Sequence, residues 1–101
     1  MALKIINGVK YYPVSENMMF NLESCHDKYS VMMYEAAEAR DWKREAELMK
    51  LREESDELCA KASCTRYLSG KDYGRAKEFV AWRICMRDLA CANAGVPNLV
   101  D

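Results

Sequence analysis

Apolar residues recur along the first part of the chain at spacings of four, three, four, three and four: Met18, Leu22, Cys25, Tyr29, Met32 and Ala36. On a helix this rhythm draws one stripe, which Met19 and Met33 widen, and methionines of this kind fill irregular cores or serve adaptable binding surfaces. The spacing predicts a first helix over 16–39, capped by the hydroxyl of Ser15. A second stripe, Leu48, Leu51, Ser55, Leu58 and Ala62, predicts a helix over 42–68. It opens after Asp41 and stops at Ser69-Gly70, where glycine is able to take the left-handed cap conformation. A third helix is expected over 72–94, capped by Asp72 and ended by Gly95 and Pro97, with 95–101 as a tail. Its apolar residues run from Phe79 to Ala92 and cover most of its circumference, leaving a narrow polar strip near Lys77, Arg83, Arg87 and Asp88. A helix apolar nearly all round is buried on several sides, and any uncovered part of it is a partner site.

Ahead of the helices the rhythm shortens. In LKIINGVKYYPV, Asn7-Gly8 sits between Ile6 and Val9. Two residues that tolerate positive φ, flanked by strand formers, predict a hairpin with a type I′ turn over 1–14. Ile6 then faces Val9, and Leu3 faces Tyr12. Two strands alone are marginal in water, so the hairpin must lie on the helices. The expected fold is mostly α: a short N-terminal β-hairpin packed on a three-helix body, in which helices two and three form an antiparallel helical hairpin. At 101 residues the chain is read as a single domain, 1–101, with a thin core and little room for a deep catalytic cleft.

The stretches ARDWKREAE (39–47) and GKDYGRAKE (70–78) echo each other at a period of 31 residues. An aspartate followed by an aromatic and then alanine resembles the turn of tetratricopeptide-type repeats, but the other repeat positions do not recur and two copies make no solenoid. The echo reads as the same helix-start chemistry used twice.

Charge changes the picture more than composition does. The net charge of −1 hides an asymmetry: nine acids against five bases from Glu35 to Glu57, then seven bases against three acids from Cys59 to Asp88. Either the two segments pair, with Glu57 beside Arg83 and Glu53 and Glu54 beside Arg87 across a fold-back at Gly70, or a basic face is offered to a partner. Arg66, Lys71, Arg75 and Lys77 cluster at the turn with Tyr67 and Tyr73 among them. Bases interleaved with aromatics are able to grip phosphate or stack a nucleic-acid base; they are equally able to be a solvated loop. Trp82 is either core or the anchor of an interface, since Trp, Tyr and Arg dominate binding hot spots. The candidate partner-binding residues are therefore Trp82, Arg66, Tyr67, Lys71, Tyr73, Arg75, Phe79 and Met86.

Candidate chemistry is sparse. Five cysteines (Cys25, Cys59, Cys64, Cys85, Cys91) are an odd number, and the four- and five-residue gaps within Cys59-Cys64 and Cys85-Cys91 are not zinc-ligand spacing. No metal site and no cofactor is expected, and the thiols read as small core residues. His26, the single histidine, adjoins Cys25 and Asp27, but helix neighbours do not face each other, so neither makes a catalytic pair. No Gly-rich phosphate loop or nucleophile elbow occurs, and no enzyme is expected. No apolar run approaches the roughly 18–20 residues of a membrane helix, and without the apolar core of a signal peptide the cytosol is the expected compartment.

The opening IINGVKYYPVSE, a strand, an Asn-Gly turn, a second strand, a proline and a serine that caps a long helix, resembles the start of small phage and prophage proteins. With its helical body bearing cysteines and methionines, the chain is similar to lambdoid-phage accessory proteins of the host-takeover type, among them inhibitors of the host RecBCD nuclease and anti-CRISPR proteins. The resemblance implies a small inhibitor that binds a host protein complex in the host cytoplasm; it transfers no functional residue. Some anti-nuclease proteins imitate DNA with massed carboxylates. A chain this close to neutral departs from that pattern, so docking on protein surface is expected instead. The alternatives are a nucleic-acid-binding accessory factor using the turn at 66–77, and a self-associating helical protein, such as a homodimer joined along its first or third helix.

Overall fold

The computed structural model describes residues 2–93. Six elements follow in order: β1 (Lys4–Ile6), β2 (Val9–Pro13), α1 (Glu16–Glu38), α2 (Trp42–Thr65), β3 (Tyr67–Ser69) and α3 (Gly70–Asn93). The fold is mostly α with an N-terminal hairpin, as the hydrophobic rhythm implies, and it adds a third strand. Asn7 and Gly8 take φ of 53° and 78°, the two positive values a type I′ turn requires, and Ile6 pairs with Val9. The ladder begins at Lys4↔Tyr11, so Leu3 lies just outside it.

Ser15 caps α1 by accepting the Met18 N–H at 3.1 Å, and Asp41 caps α2 by accepting the Arg44 N–H at 3.2 Å. Between them the chain reverses tightly. The Asp41 N–H reaches the Ala36 carbonyl at 2.8 Å and the Arg40 N–H the Ala37 carbonyl at 3.0 Å, while Arg40 sits at φ 57°. This is a Schellman ending with arginine in the position glycine usually takes. Cross-helix contacts His26–Asp56 and Arg52–Ser30 fix α1 and α2 as antiparallel neighbours. α1 packs most extensively on α2 and also on α3, whereas α2 and α3 meet more sparingly.

The second helix departs from its expected end. It was expected to run through Leu68 and stop at Gly70; it ends at Thr65, and Arg66 takes the left-handed cap at φ 64° with its N–H on the Ala62 carbonyl at 2.7 Å. Tyr67–Ser69 then add to β2 in the register Tyr11↔Ser69, Tyr12↔Leu68 and Pro13↔Tyr67. The competing interaction is physical: a two-stranded ribbon gains from a third strand, and pairing buries Leu68 completely. The Thr65 hydroxyl assists by accepting the Tyr67 N–H at 3.2 Å. With the strand inserted, Gly70 opens α3 rather than closing α2. Asp72 falls inside the first turn of α3 instead of capping it, and its carboxylate pairs with Lys61 at 3.4 Å. The 39–47 and 70–78 echo is therefore not shared capping chemistry. Of the expected third helix and tail, residues 94–101 lie outside the described residues.

The core lies where the three helices and the sheet meet. Met19, Leu22, Cys25, Tyr29, Met33 and Ala36 of α1 are buried against Leu48, Leu58 and Ala62 of α2, Ala76, Phe79 and Val80 of α3, and Val14 and Leu68 from the sheet side. Asn21 and Ser55 are buried too, and both are satisfied locally: the Asn21 amide donates to the Asn17 carbonyl at 2.9 Å, and the Ser55 hydroxyl to the Arg52 carbonyl at 2.9 Å. Each removes a polar group from water without stranding it. No helix among the described residues is long and apolar enough to cross a membrane.

Candidate interaction surfaces

The fold-back between α2 and α3 is centred near Thr65 and Arg66, which changes the partners of Glu54 and Glu57. Arg75, not Arg83, meets the acidic helix: its Nε and Nη2 donate to the two carboxylate oxygens of Glu54 at 2.6 and 2.9 Å, and Nη1 reaches Glu78 at 2.7 Å. This two-pronged geometry holds the Glu54 carboxyl below the usual carboxylate range. Glu57 pairs with Lys61 at 3.5 Å, one turn away on its own helix. Arg83 makes no ion pair with Glu57, and its buried Nε has no hydrogen-bond partner among the described residues. The two helices frame a cleft of about 600 Å³ whose walls carry four carboxylates, including Glu54, Glu57 and Asp72, against three bases, Lys61, Lys71 and Arg75. Much of the charge at the turn is thus spent on internal pairing.

The aromatic members of the cluster are also engaged. Tyr73 stacks on Tyr12 with ring centroids 5.1 Å apart, which fastens the hairpin to α3, and Lys77 lies 5.7 Å from the Tyr73 ring. Tyr67 donates its hydroxyl to the Ala2 carbonyl at 3.2 Å and carries Lys4 over its ring at 4.3 Å. Phe79 is core, beneath the Arg75 guanidinium at 4.4 Å. Trp82 stacks on Tyr29 at 4.3 Å, nearly parallel at 6°, and is half-buried, as is Met86. Arg66 and Lys71 are the bases at this turn whose side chains are exposed and, among the described residues, make no ion pair.

Sequence reasoning missed the exposed pairing of His26 Nδ1 with Asp56 at 3.0 Å. The antiparallel α1–α2 reversal is the signal that finds it, because it sets residues equidistant from Asp41 side by side. The neighbouring Ser30 hydroxyl donates to the His26 carbonyl at 2.8 Å rather than to the ring. Among the described residues no group of three or more His, Cys, Asp or Glu side chains is gathered for a metal ion.

The described cysteines are free thiols in graded environments: Cys25 buried, Cys59 half-buried, Cys64 and Cys85 exposed. Burial pushes the Cys25 thiol up to about 11, against the opposing pull of Arg83, and burial likewise raises Tyr29 to about 12. Both groups are acids whose folded pKa lies above the unfolded value. Above about pH 9 for the thiol and about pH 10 for the phenol the unfolded chain sheds these protons while the folded one keeps them, so stability falls with rising pH until the folded groups ionise. The melting temperature is expected to decline from pH 9 to 11, and at pH 8 a thiol reagent should label Cys64 and Cys85 rapidly and Cys25 only on unfolding. A flat melting profile over that range, or labelling of native Cys25 as fast as Cys85, would contradict this burial.

A second missed feature is the outer face of the α1–α2 hairpin. Phe20, Val31 and Tyr34 stand on the side of α1 opposite the core, with Phe20 63% and Tyr34 66% exposed. On α2, Trp42 and Met49 likewise point away from the core and are exposed. Their spacings of 11 and 3 on α1, and 7 on α2, keep each set on one stripe. The sequence signal was present but was outweighed by the stronger core stripes beside it.

No known family model matches the chain, and neither a curated protein nor a solved structure shows a significant likeness to it.

Proposed function

We propose that this is a small non-enzymatic protein that docks on a larger protein assembly and modulates it. The observation that supports this reading is the outer stripe of α1, where two aromatics and a valine are held in water on a rigid helix. Single exposed apolar residues are ordinary, but a stripe rich in Tyr and Phe is the composition of binding anchors. The resemblance of the N-terminal segment to phage accessory proteins makes a host nuclease of the RecBCD kind, or a defence complex in the host cytoplasm, the target class.

The test is a tagged pull-down from nuclease-treated bacterial lysate, comparing the natural chain with a Phe20→Ser, Val31→Ser, Tyr34→Ser triple variant. A stoichiometric protein partner is expected with the first, and binding about 30-fold weaker or worse with the second, the scale of losing a hot spot. Partners held equally by the variant would rule out the stripe. Partners lost on nuclease treatment, with affinity falling steeply in salt, would put nucleic-acid binding through Arg66 and Lys71 in its place.

A further inference from the structure

The hairpin is left unfinished by the chain's own packing. Residues 2–10 are all exposed, and Ile5 is 65% accessible. β3 covers only the Tyr11–Pro13 end of β2, so the Lys4–Lys10 end projects as a two-stranded ribbon. Register assigns its faces. Ile6 and Val9 stand on one side with Lys4 and Tyr11; Leu3 and Ile5 stand on the other with Lys10 and Tyr12. Further along, this second face already packs on a helix, through Tyr12 on Tyr73 and through buried Leu68. Its free half, Leu3 and Ile5, has the same character and is exposed, with no helix of the described residues over it. A wet aliphatic ribbon is marginal in water. Its charge has one sign: Lys4 and Lys10 are the only charged side chains before Glu16. Lys4 is turned onto the Tyr67 ring, which leaves Lys10 available.

A complementary surface lies on the same chain. The second half of α3 carries a shallow groove of about 660 Å³ lined by Ala81, Ile84, Cys85, Asp88 and Leu89. These positions follow i, i+3, i+4, i+7 and i+8, one face of a helix, and they hold four apolar residues, one carboxylate and no base. Ribbon and groove cannot be covering each other within one molecule, since Ile5 and Leu89 are both more than half exposed in it.

We propose that the two surfaces close on each other between two copies of the chain. The Leu3–Ile5 face of one hairpin lies in the α3 groove of the partner, with Lys10 on Asp88, and the exchange is reciprocal. Reciprocity uses both hairpins and both grooves and closes a twofold dimer, whereas a one-way contact would propagate as a filament. The partner's α3 continues the helix-on-sheet packing that Tyr12 and Leu68 begin. This goes beyond docking through the outer face of α1, uses different residues, and stands or falls separately from it.

Light scattering and sedimentation over a concentration series test the idea with the full chain. A concentration-dependent dimer is expected. Ile5→Asp and Leu89→Asp should each weaken it by about 30-fold or more, the scale of a buried anchor. Helical circular dichroism should not change, because both side chains are exposed in the monomer. Lys10→Asp and Asp88→Lys should each weaken it, and the doubly reversed chain should recover. With Cys59, Cys64 and Cys91 replaced by serine, Ile5→Cys should form an intermolecular disulfide with Cys85 under mild oxidation. A chain that stays monomeric at the highest attainable concentration would overturn the proposal. So would a dimer that ignores both aspartates or yields no cross-link between positions 5 and 85.

Discussion

Replacing Phe79 with alanine is expected to lower stability by about 3–5 kcal/mol, the range for removing a buried aromatic ring. Phe79 is 3% exposed and meets Tyr29 edge-on at 6.2 Å and 89°. Its other side is roofed by the Arg75 guanidinium, and its carbonyl accepts the Cys25 thiol at 3.6 Å. Two contacts therefore meet on the ring itself, Tyr29 from α1 and Arg75 from α3, and Glu54 of α2 holds Arg75 in place. Truncation leaves a hole between α1 and α3 and removes the ring that lies under the Arg75 guanidinium. For a domain of this size each kcal/mol shifts the melting temperature by about 4–8 °C, so a fall of about 12 °C or more is expected in a thermal melt. Phe79→Leu should recover most of it. A shift under about 5 °C would mean the ring is not part of the core.

Trp82→Ala is expected to cost about 2–3 kcal/mol, less because the indole is half-buried but still substantial because its stack on Tyr29 adds to the area it covers. The same substitution separates two roles. If Trp82 serves the core, Trp82→Phe restores the melting temperature and partner binding is unchanged wherever the variant is folded. An unaltered melting temperature together with lost partner binding would make Trp82 an interface anchor instead.

The hairpin, the caps at Ser15 and Asp41 and the core stripes of α1 and α2 were legible because each rests on local chemistry: a two-residue turn, an oxygen three residues ahead of an N–H, a repeat near 3.6. What the sequence concealed depends on partners distant along the chain. Tyr67-Leu68-Ser69 continue the helical rhythm of α2 acceptably, and only the unfinished edge of β2, more than fifty residues earlier, makes a strand the better choice. That one replacement of helix by strand moves the fold-back from Gly70 to Arg66, Asp72 from cap to first turn, and the partner of Glu54 from Arg87 to Arg75. The basic, aromatic turn looked like a binding surface because each residue was read alone. In the fold Tyr73, Arg75 and Phe79 are occupied by Tyr12, Glu54 and the core.

The third strand also bears on how the chain assembles. Pairing Tyr12 with Leu68 closes a loop that holds the whole of α1 and α2. The entropy lost in such a closure grows as about (3/2)RT ln n, so its size depends on how much flexible chain lies between the ends. If the α1–α2 reversal at Arg40 forms first, from contacts between neighbours in sequence, most of that chain is already rigid and its ends lie near one another. Formed that early, the left-handed turn at Arg40 would shorten the search by which the N-terminal ribbon finds its third strand.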